Sequence, residues 1–388
     1  MQFTQPLPLS LYVHYPWCVQ KCPYCDFNSH QAKADLQQQE TAYIDGVIRQ
    51  LETTLPMIWG RPIRSVFFGG GTPSLMSVEG FERLMSQFRA LLGLSPDTEV
   101  TLEANPGTVD QAKFDGFFQA GANRLSIGVQ SFNPEHLKAL GRIHDEHQAW
   151  SAIEAARSAG FKRLNLDLMF ALPNQTLAQA LEDIEQALSA QPDHISHYQL
   201  TLEPNTPFYR QPPILPDEDL AWDMQSACQN RLIESGYEHY EVSAFAKPNQ
   251  ACRHNLNYWQ FGDYIGLGAG AHGKITLPQT GEIWRSQMPA SPGAYIEMMS
   301  KADLTTRPGR WQKVEAPEVV FEFMLNALRL QKGFDLALFS QTTGLKIDII
   351  QSKLEQLESN NWIKRSDARL ELTPEGQRYL NSLIEVFL

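Results

Sequence analysis

Tyr12-Val13-His14-Tyr15-Pro16-Trp17-Cys18-Val19-Gln20-Lys21-Cys22-Pro23-Tyr24-Cys25 holds three of the chain's five cysteines, spaced Cys-x3-Cys-x2-Cys. Its first residues belong to an alternating apolar run, 11–15, that predicts a β-strand. Three thiolates on one tight loop at a strand end can grip three irons of a four-iron cluster, leaving the fourth iron open to an exogenous ligand. Structural zinc asks for four N/S ligands, usually in two pairs; there is no second Cys pair, although His14 or His30 could supply a fourth ligand. Disulfides are disfavoured by the odd number of clustered cysteines and by the lack of any sign of export. The cluster reading is preferred.

Outward from this loop, strands and helices alternate. Strands are expected at 11–15, 63–68, 98–103, 124–130, 164–170 and 194–200. Helices are expected at 37–55, ending before Pro56, at 78–92 behind a Ser77 N-cap, and at 109–120, 134–140, 146–159 and 177–190. Such alternation implies parallel strands joined by right-handed crossovers, and apolar runs such as 166–170 fit strands covered on both faces. Six units are too few for a closed eight-stranded barrel. The expected fold class is therefore α/β, a partial (β/α)6 barrel with its active face at the carboxyl ends of the strands. Cys18 to Cys25, Gly69-Gly70-Gly71, Glu103, Gln130 and Asp167 then converge on one face. Singly they would pass as turn residues and salt-bridge partners; together, beside the cysteine loop, they read as a site.

Three domains are expected: the barrel at 1–205, a linker and accessory segment at 206–305, and a helical, winged-helix-like domain at 306–388. Five prolines from Pro204 to Pro216 mark a linker or wrapping loop. An edge strand is expected over 237–245. The glycine run 266–273 only superficially resembles a dinucleotide-binding turn, because its third glycine is misplaced and no helix pattern follows. Helical patterns at 319–330, 336–342 and 347–358, a two-stranded wing at 362–365 and 370–372, and a last helix at 374–386 raise the possibility of DNA binding. The would-be recognition helix carries Asp348, Glu355 and Glu358 against two lysines, and the chain's net charge is -12, so a packing or partner module is expected and nucleic acid is not. Hydrophobic content of 43% and charged content of 20% are ordinary for a globular protein. No apolar run reaches the roughly 18 residues of a membrane span. The start lacks the pattern of a secretory signal, and the reading places the chain in the cytoplasm.

Cys18-x3-Cys22-x2-Cys25 resembles the signature of the radical S-adenosylmethionine (SAM) superfamily. Tyr12-x-His14-x-Pro16, Gly69-Gly-Gly-Thr-Pro73, Leu102-Glu-Ala-Asn-Pro106, Ser126-Ile-Gly-Val-Gln-Ser131 and the carboxyl-terminal module narrow the likeness to one branch. It is the branch of oxygen-independent coproporphyrinogen III oxidase and its heme-chaperone relatives, and the likeness covers nearly the whole chain. The resemblance implies a [4Fe-4S] cluster on Cys18, Cys22 and Cys25, with S-adenosylmethionine on the open iron contacted by Tyr12, Gly70 and Glu103. Tyr24, Gly71, Thr72, Gln130, Arg142 and Asp167 match residues that line a second S-adenosylmethionine in the oxidase. Arg142 suits a carboxylate, and Glu103 and Asp167 suit ribose hydroxyls or an ammonium.

Two departures from the oxidase matter: Phe27 stands where a further cysteine is expected, and the oxidase's long amino-terminal arm is missing. His254-Asn-x-x-Tyr258-Trp259 instead matches a motif associated with heme in the chaperone subgroup. The resemblance therefore implies heme binding and delivery, with oxidative decarboxylation of porphyrinogen propionates as the alternative. His254 is the candidate axial ligand, with Tyr258 and Trp259 as stacking surfaces; the competing reading is that His254 only hydrogen-bonds its segment against the barrel. Cys252 is a second heme contact or a bystander, and mid-helix Cys228 is core. The expected partners are heme and heme-accepting proteins, membrane-bound respiratory enzymes and a second copy of the chain among them.

Overall fold

Leu9–Tyr15 forms β1, buried along most of its length because it is a central strand. The parallel ladder runs from β1 through Ile63–Gly70 (β2), Leu94–Ala104 (β3), Arg124–Gln130 (β4), Arg163–Phe170 (β5) and His194–Gln199 (β6). All six expected strands are present in this computed structural model, which describes residues 1–388 except Leu304 and Thr306. The expected start of the third domain falls on Thr306, outside the described residues.

The sheet is larger than six strands. Glu238–Glu241 (β7) and Ala244–Ala246 (β8) form an antiparallel hairpin on β6, where one continuous edge strand was expected. On the other side Asp263–Leu267 (β9) pairs parallel with β1, followed by antiparallel His272–Leu277 (β10), Glu282–Gln287 (β11) and Arg310–Val314 (β12). Among the described residues these make one twelve-stranded sheet ordered β12-β11-β10-β9-β1-β2-β3-β4-β5-β6-β8-β7. The glycine run conceals β9 and β10 because glycine breaks the apolar alternation. Gly266 is needed there: a Cβ on it would lie 1.9 Å from the His272 carbonyl oxygen.

The crossover helices follow the expected pattern. Ser77 caps Val78–Leu91 by accepting from Gly80 N, and Asp110 delays the next helix to Gln111–Ala120 by accepting from Lys113 N. The first helix, Leu36–Ile58, carries Pro56 inside its last turn instead of stopping before it. Its buried face, Tyr43, Ile44, Val47 and Leu51, joins one core with Phe68, Phe81 and Phe88. The carboxyl-terminal part has a separate core built on Phe323, Phe334, Phe339, Leu354 and Leu370. There Ala316–Ala327, Leu336–Thr343 and Gln351–Ser359 precede the two-stranded wing Ile363–Arg365 and Arg369–Leu372, and the expected last helix breaks at Tyr379 into Pro374–Arg378 and Leu380–Glu385. The proline-rich segment wraps back on the cysteine loop, Phe208 N donating to Pro23 O at 3.1 Å. Among the described residues no helix is long and apolar enough to cross a membrane.

Candidate cofactor site

The cysteine loop is set by its two neighbours. At its start, Trp17–Cys18 pairs with His30–Gln31, which closes the loop on itself. The glycines after β2 clasp the same point: Gly71 N donates to Tyr15 O at 2.7 Å and Thr72 N to Trp17 O at 2.8 Å. At its exit, Asn28 Nδ2 donates to the carbonyls of Ala269 (3.0 Å) and Ala290 (2.9 Å), while Asn28 O meets His14 Nε2 at 2.8 Å. Cys18, Cys22 and Cys25 are free thiols that line a cavity of about 520 Å³.

This donor set fits a four-iron cluster better than zinc. Among the described residues no group of three or more His, Cys, Asp or Glu side chains is gathered for a single metal ion. Both ring nitrogens of His14 are engaged, by Tyr12 OH and Asn28 O, and His30 Nε2 lies 3.2 Å from Ala290 O. Thiolates of a four-iron cluster each meet a different iron, so three free thiols lining one cavity suit it. Burial pushes the Cys18 and Cys25 thiols up, and metal charge is what would hold them as thiolates.

Tyr24, Gly70, Gly71, Thr72, Glu103, Gln130, Arg142 and Asp167 line the same cavity. Tyr12 sits beside it: its hydroxyl is 3.0 Å from His14 Nδ1, and its ring is where a Cβ on Gly69 would make contact. Burial, and then the Asp167 carboxylate, push Glu103 up to about 8. Asp167 is also raised by burial, against hydrogen bonds from Asn165 Nδ2 (2.7 Å) and Ser126 Oγ (3.0 Å). Two such carboxyl groups facing one chamber favour a cationic or hydroxyl-rich guest. Arg142 donates to Gly128 O at 2.7 Å and lies 3.7 Å from Cys22 Sγ, and its buried Nε has no partner. Gln130 adopts φ of 69°, which a non-glycine residue holds only under constraint; its Oε1 accepts from Tyr198 OH at 2.6 Å. Ser126, Ser196 and Tyr198 also line the cavity and were missed, although Ser196 pairs in register with Asp167 and Tyr198 shares its face of β6.

The heme-associated motif borders the cavity through Asn255, while its histidine is buried behind it. It forms the helix Arg253–Trp259, packed against β1 and β2. His254 is 2% exposed, its ring stacked on Phe67 at 4.8 Å and edge-on to Tyr258 at 4.9 Å. Its Nδ1 is 3.0 Å from Ser65 Oγ and its Nε2 has no partner. Burial, and then Arg124, push it down to about 3, so it is a neutral imidazole. Cys252 is buried with its thiol 3.6 Å from Glu99 Oε1, and Cys228 is core. Asn255, the neighbour of His254, lines the cysteine cavity.

Comparison with known proteins supplies the relationship. The radical SAM superfamily model matches residues 12–187, and the HemN C-terminal domain model matches residues 314–379. The heme chaperone HemW of Escherichia coli (strain K12) is 44% identical over 386 residues, covering 98% of each chain. HemW of Bacillus subtilis (strain 168) is 32% identical over 385 residues, covering 98% of this chain and 99% of that one. Among solved structures, coproporphyrinogen III oxidase (HemN) from Escherichia coli, described as a radical SAM enzyme, superposes with a TM-score of 0.82 at 23% identity. That match covers 98% of this chain and 90% of the oxidase and is a likeness of fold.

Proposed function

The chain belongs to the heme chaperone HemW family of the radical SAM superfamily, and on that premise we propose that it binds heme and hands it to acceptor proteins. In this reading it carries a [4Fe-4S] cluster on Cys18, Cys22 and Cys25 with S-adenosylmethionine at the open iron. The observation that carries the reading is one shared chamber: the three cysteines and Asn255, the neighbour of His254, line the same cavity.

The cluster, when bound, supplies one-electron chemistry beside an open coordination position. The chain's own residues do the rest. Glu103 and Asp167 accept hydrogen bonds from hydroxyl or ammonium groups, Arg142 holds a carboxylate, and Gly70 and Gly71 let a ligand approach bare backbone. Tyr12, Tyr24, Thr72 and Gln130 shape the walls. His254 is the proposed axial ligand and Tyr258 a packing surface. Because His254 is 2% exposed, heme iron reaches it only when its helix moves off the barrel. We assign the barrel to 1–205, the accessory segment to 206–305 and the partner module to 306–388. Membrane-bound respiratory enzymes as acceptors, a homodimer and a cytoplasmic location complete the proposal.

The test is a heme titration of anaerobically reconstituted protein, followed by the Soret band, with wild type, the triple Cys18→Ser/Cys22→Ser/Cys25→Ser variant and His254→Ala. Wild type binds heme, the triple variant loses iron, and His254→Ala shifts the band and weakens binding. An unchanged spectrum and affinity in His254→Ala would remove that ligand. Protoporphyrinogen formed from coproporphyrinogen with reductant and S-adenosylmethionine would overturn the carrier reading in favour of the oxidase.

A further inference from the structure

On the flank bordered by the sheet's β7 edge, the cavity is lined by Glu241, Ser243, Asn255 and Arg329, which no cofactor assignment uses. Glu241 ends β7, and Arg329 follows the helix Ala316–Ala327, so the carboxyl-terminal part contributes directly to the chamber. Backbone bonds fix the two segments together: Val242 N donates to Arg329 O, and Gln331 N to Tyr240 O, each at 3.1 Å.

The guanidinium itself is incompletely used. Arg329 Nη2 meets Glu241 Oε2 at 3.2 Å, a long single contact where Arg and carboxylate can form two short ones. Its Cζ lies 4.4 Å from the centre of the Trp259 ring, which holds the fork's plane. Arg329 Nε and Trp259 Nε1 are both buried without a partner. Both of these atoms are shut off from the cavity, but the Arg329 side chain is 31% exposed and lines it, so a guanidinium with one long carboxylate contact stays within reach of a further acceptor there.

We propose that Arg329 forms a carboxylate-recognition subsite at this flank, in which a ligand carboxylate competes with Glu241 for the guanidinium. The inference rests on the function proposed above, which supplies two carboxylate-bearing guests: heme through its propionates and S-adenosylmethionine through its aminoacyl end. Trp259 positions the fork, and Asn255 and Ser243 border the guest.

The full-length reconstituted chain is titrated with heme, with heme dimethyl ester, whose propionates are blocked, and with S-adenosylmethionine. Wild type prefers heme to the ester. Arg329→Gln loses that preference by roughly tenfold, the scale of one charge-assisted bond, with ester affinity unchanged. Glu241→Gln, which removes the competitor, tightens carboxylate binding, a gain that misfolding cannot imitate. If Arg329→Gln weakens S-adenosylmethionine and spares the heme preference, the subsite holds the aminoacyl carboxylate. A mere strut between edge strand and carboxyl-terminal part would lower heme and ester affinities equally, and that result overturns the subsite. So does unchanged binding in both variants, with the carrier function left standing. Wild type that binds neither heme nor S-adenosylmethionine overturns both.

Discussion

The Glu99 carboxylate holds the start of the helix that carries His254: its Oε1 accepts from Arg253 N at 2.9 Å and from His254 N at 3.3 Å. Its other oxygen pairs with Arg163 at 2.6 Å. A buried carboxylate thus ties β3 to the heme-associated motif, combining a helix-N-terminus interaction with an ion pair. Replacing Glu99 with Ala leaves Arg163 without its carboxylate partner and two helix N–H groups without an acceptor. The expected loss is about 3–5 kcal/mol in chemical denaturation of the cluster-free protein.

His254 is held neutral by burial, about 3 against its ordinary 6.5. The unfolded chain takes up a proton below pH 6.5 that the folded chain refuses, so this group's stabilising share is present above 6.5 and is lost as pH falls toward 3. His254→Phe removes it. The stability of the variant should then fall less steeply than that of wild type over this window, by up to ~1.4 kcal/mol per pH unit. Urea unfolding at stepped pH measures the slope, and parallel curves would contradict the assignment.

Glu103 has the opposite sign. Burial and Asp167 raise it from 4.5 to about 8, so the folded chain keeps a proton that the unfolded chain has released. Its share is full below pH 4.5 and is lost as pH rises through 8. Glu103→Gln should gain on wild type across that interval, again by up to ~1.4 kcal/mol per pH unit. Denaturation midpoints that stay a fixed distance apart from pH 5 to 8 would refute it.

Gly71→Ala places a methyl 2.7 Å from the Trp17 carbonyl oxygen, a backbone atom one residue from Cys18. No side-chain rotation relieves that contact, so the loop itself shifts. We expect a loss of roughly 1–3 kcal/mol and less iron retained after reconstitution. Gly93→Ala, where a Cβ has nothing within 4 Å, is the control. Equal iron in both variants would show that the clasp does not position the cysteines.

How far the molecule can be read from its sequence depends on where each signal lies. Cys18, Cys22 and Cys25 are close in the chain, and β1 to β6 each carry a local alternation or apolar run, so loop and strands were legible. The parallel-strand rule alone put Glu103, Gln130 and Asp167 on one face, where they line the cavity. The strands β9 and β10 were not legible, because their glycines erase the pattern and the pairing of β9 with β1 is remote in sequence; β11 and β12 join the sheet only through β10. Arg329 and Glu241 escaped for a related reason: the docking of the carboxyl-terminal part brings Arg329 to the cavity, and the hairpin added to β6 brings Glu241. For His254, the motif named the residue but carried no measure of depth, which comes from Phe67 and Tyr258 closing over it.

Asn28 ties the exit of the cysteine loop to Ala269 and Ala290. During synthesis from the amino terminus, the three thiols leave the ribosome long before either carbonyl exists, and β1 waits equally for Asp263–Leu267 to take its place beside it. The nascent loop is therefore an open set of reactive sulfurs with its geometry still unset. Iron and sulfide delivered at that stage meet no fixed cradle, so insertion of the proposed cluster belongs after residue 290 has joined the fold, and a truncation before residue 269 should remain colourless however much cluster donor is supplied.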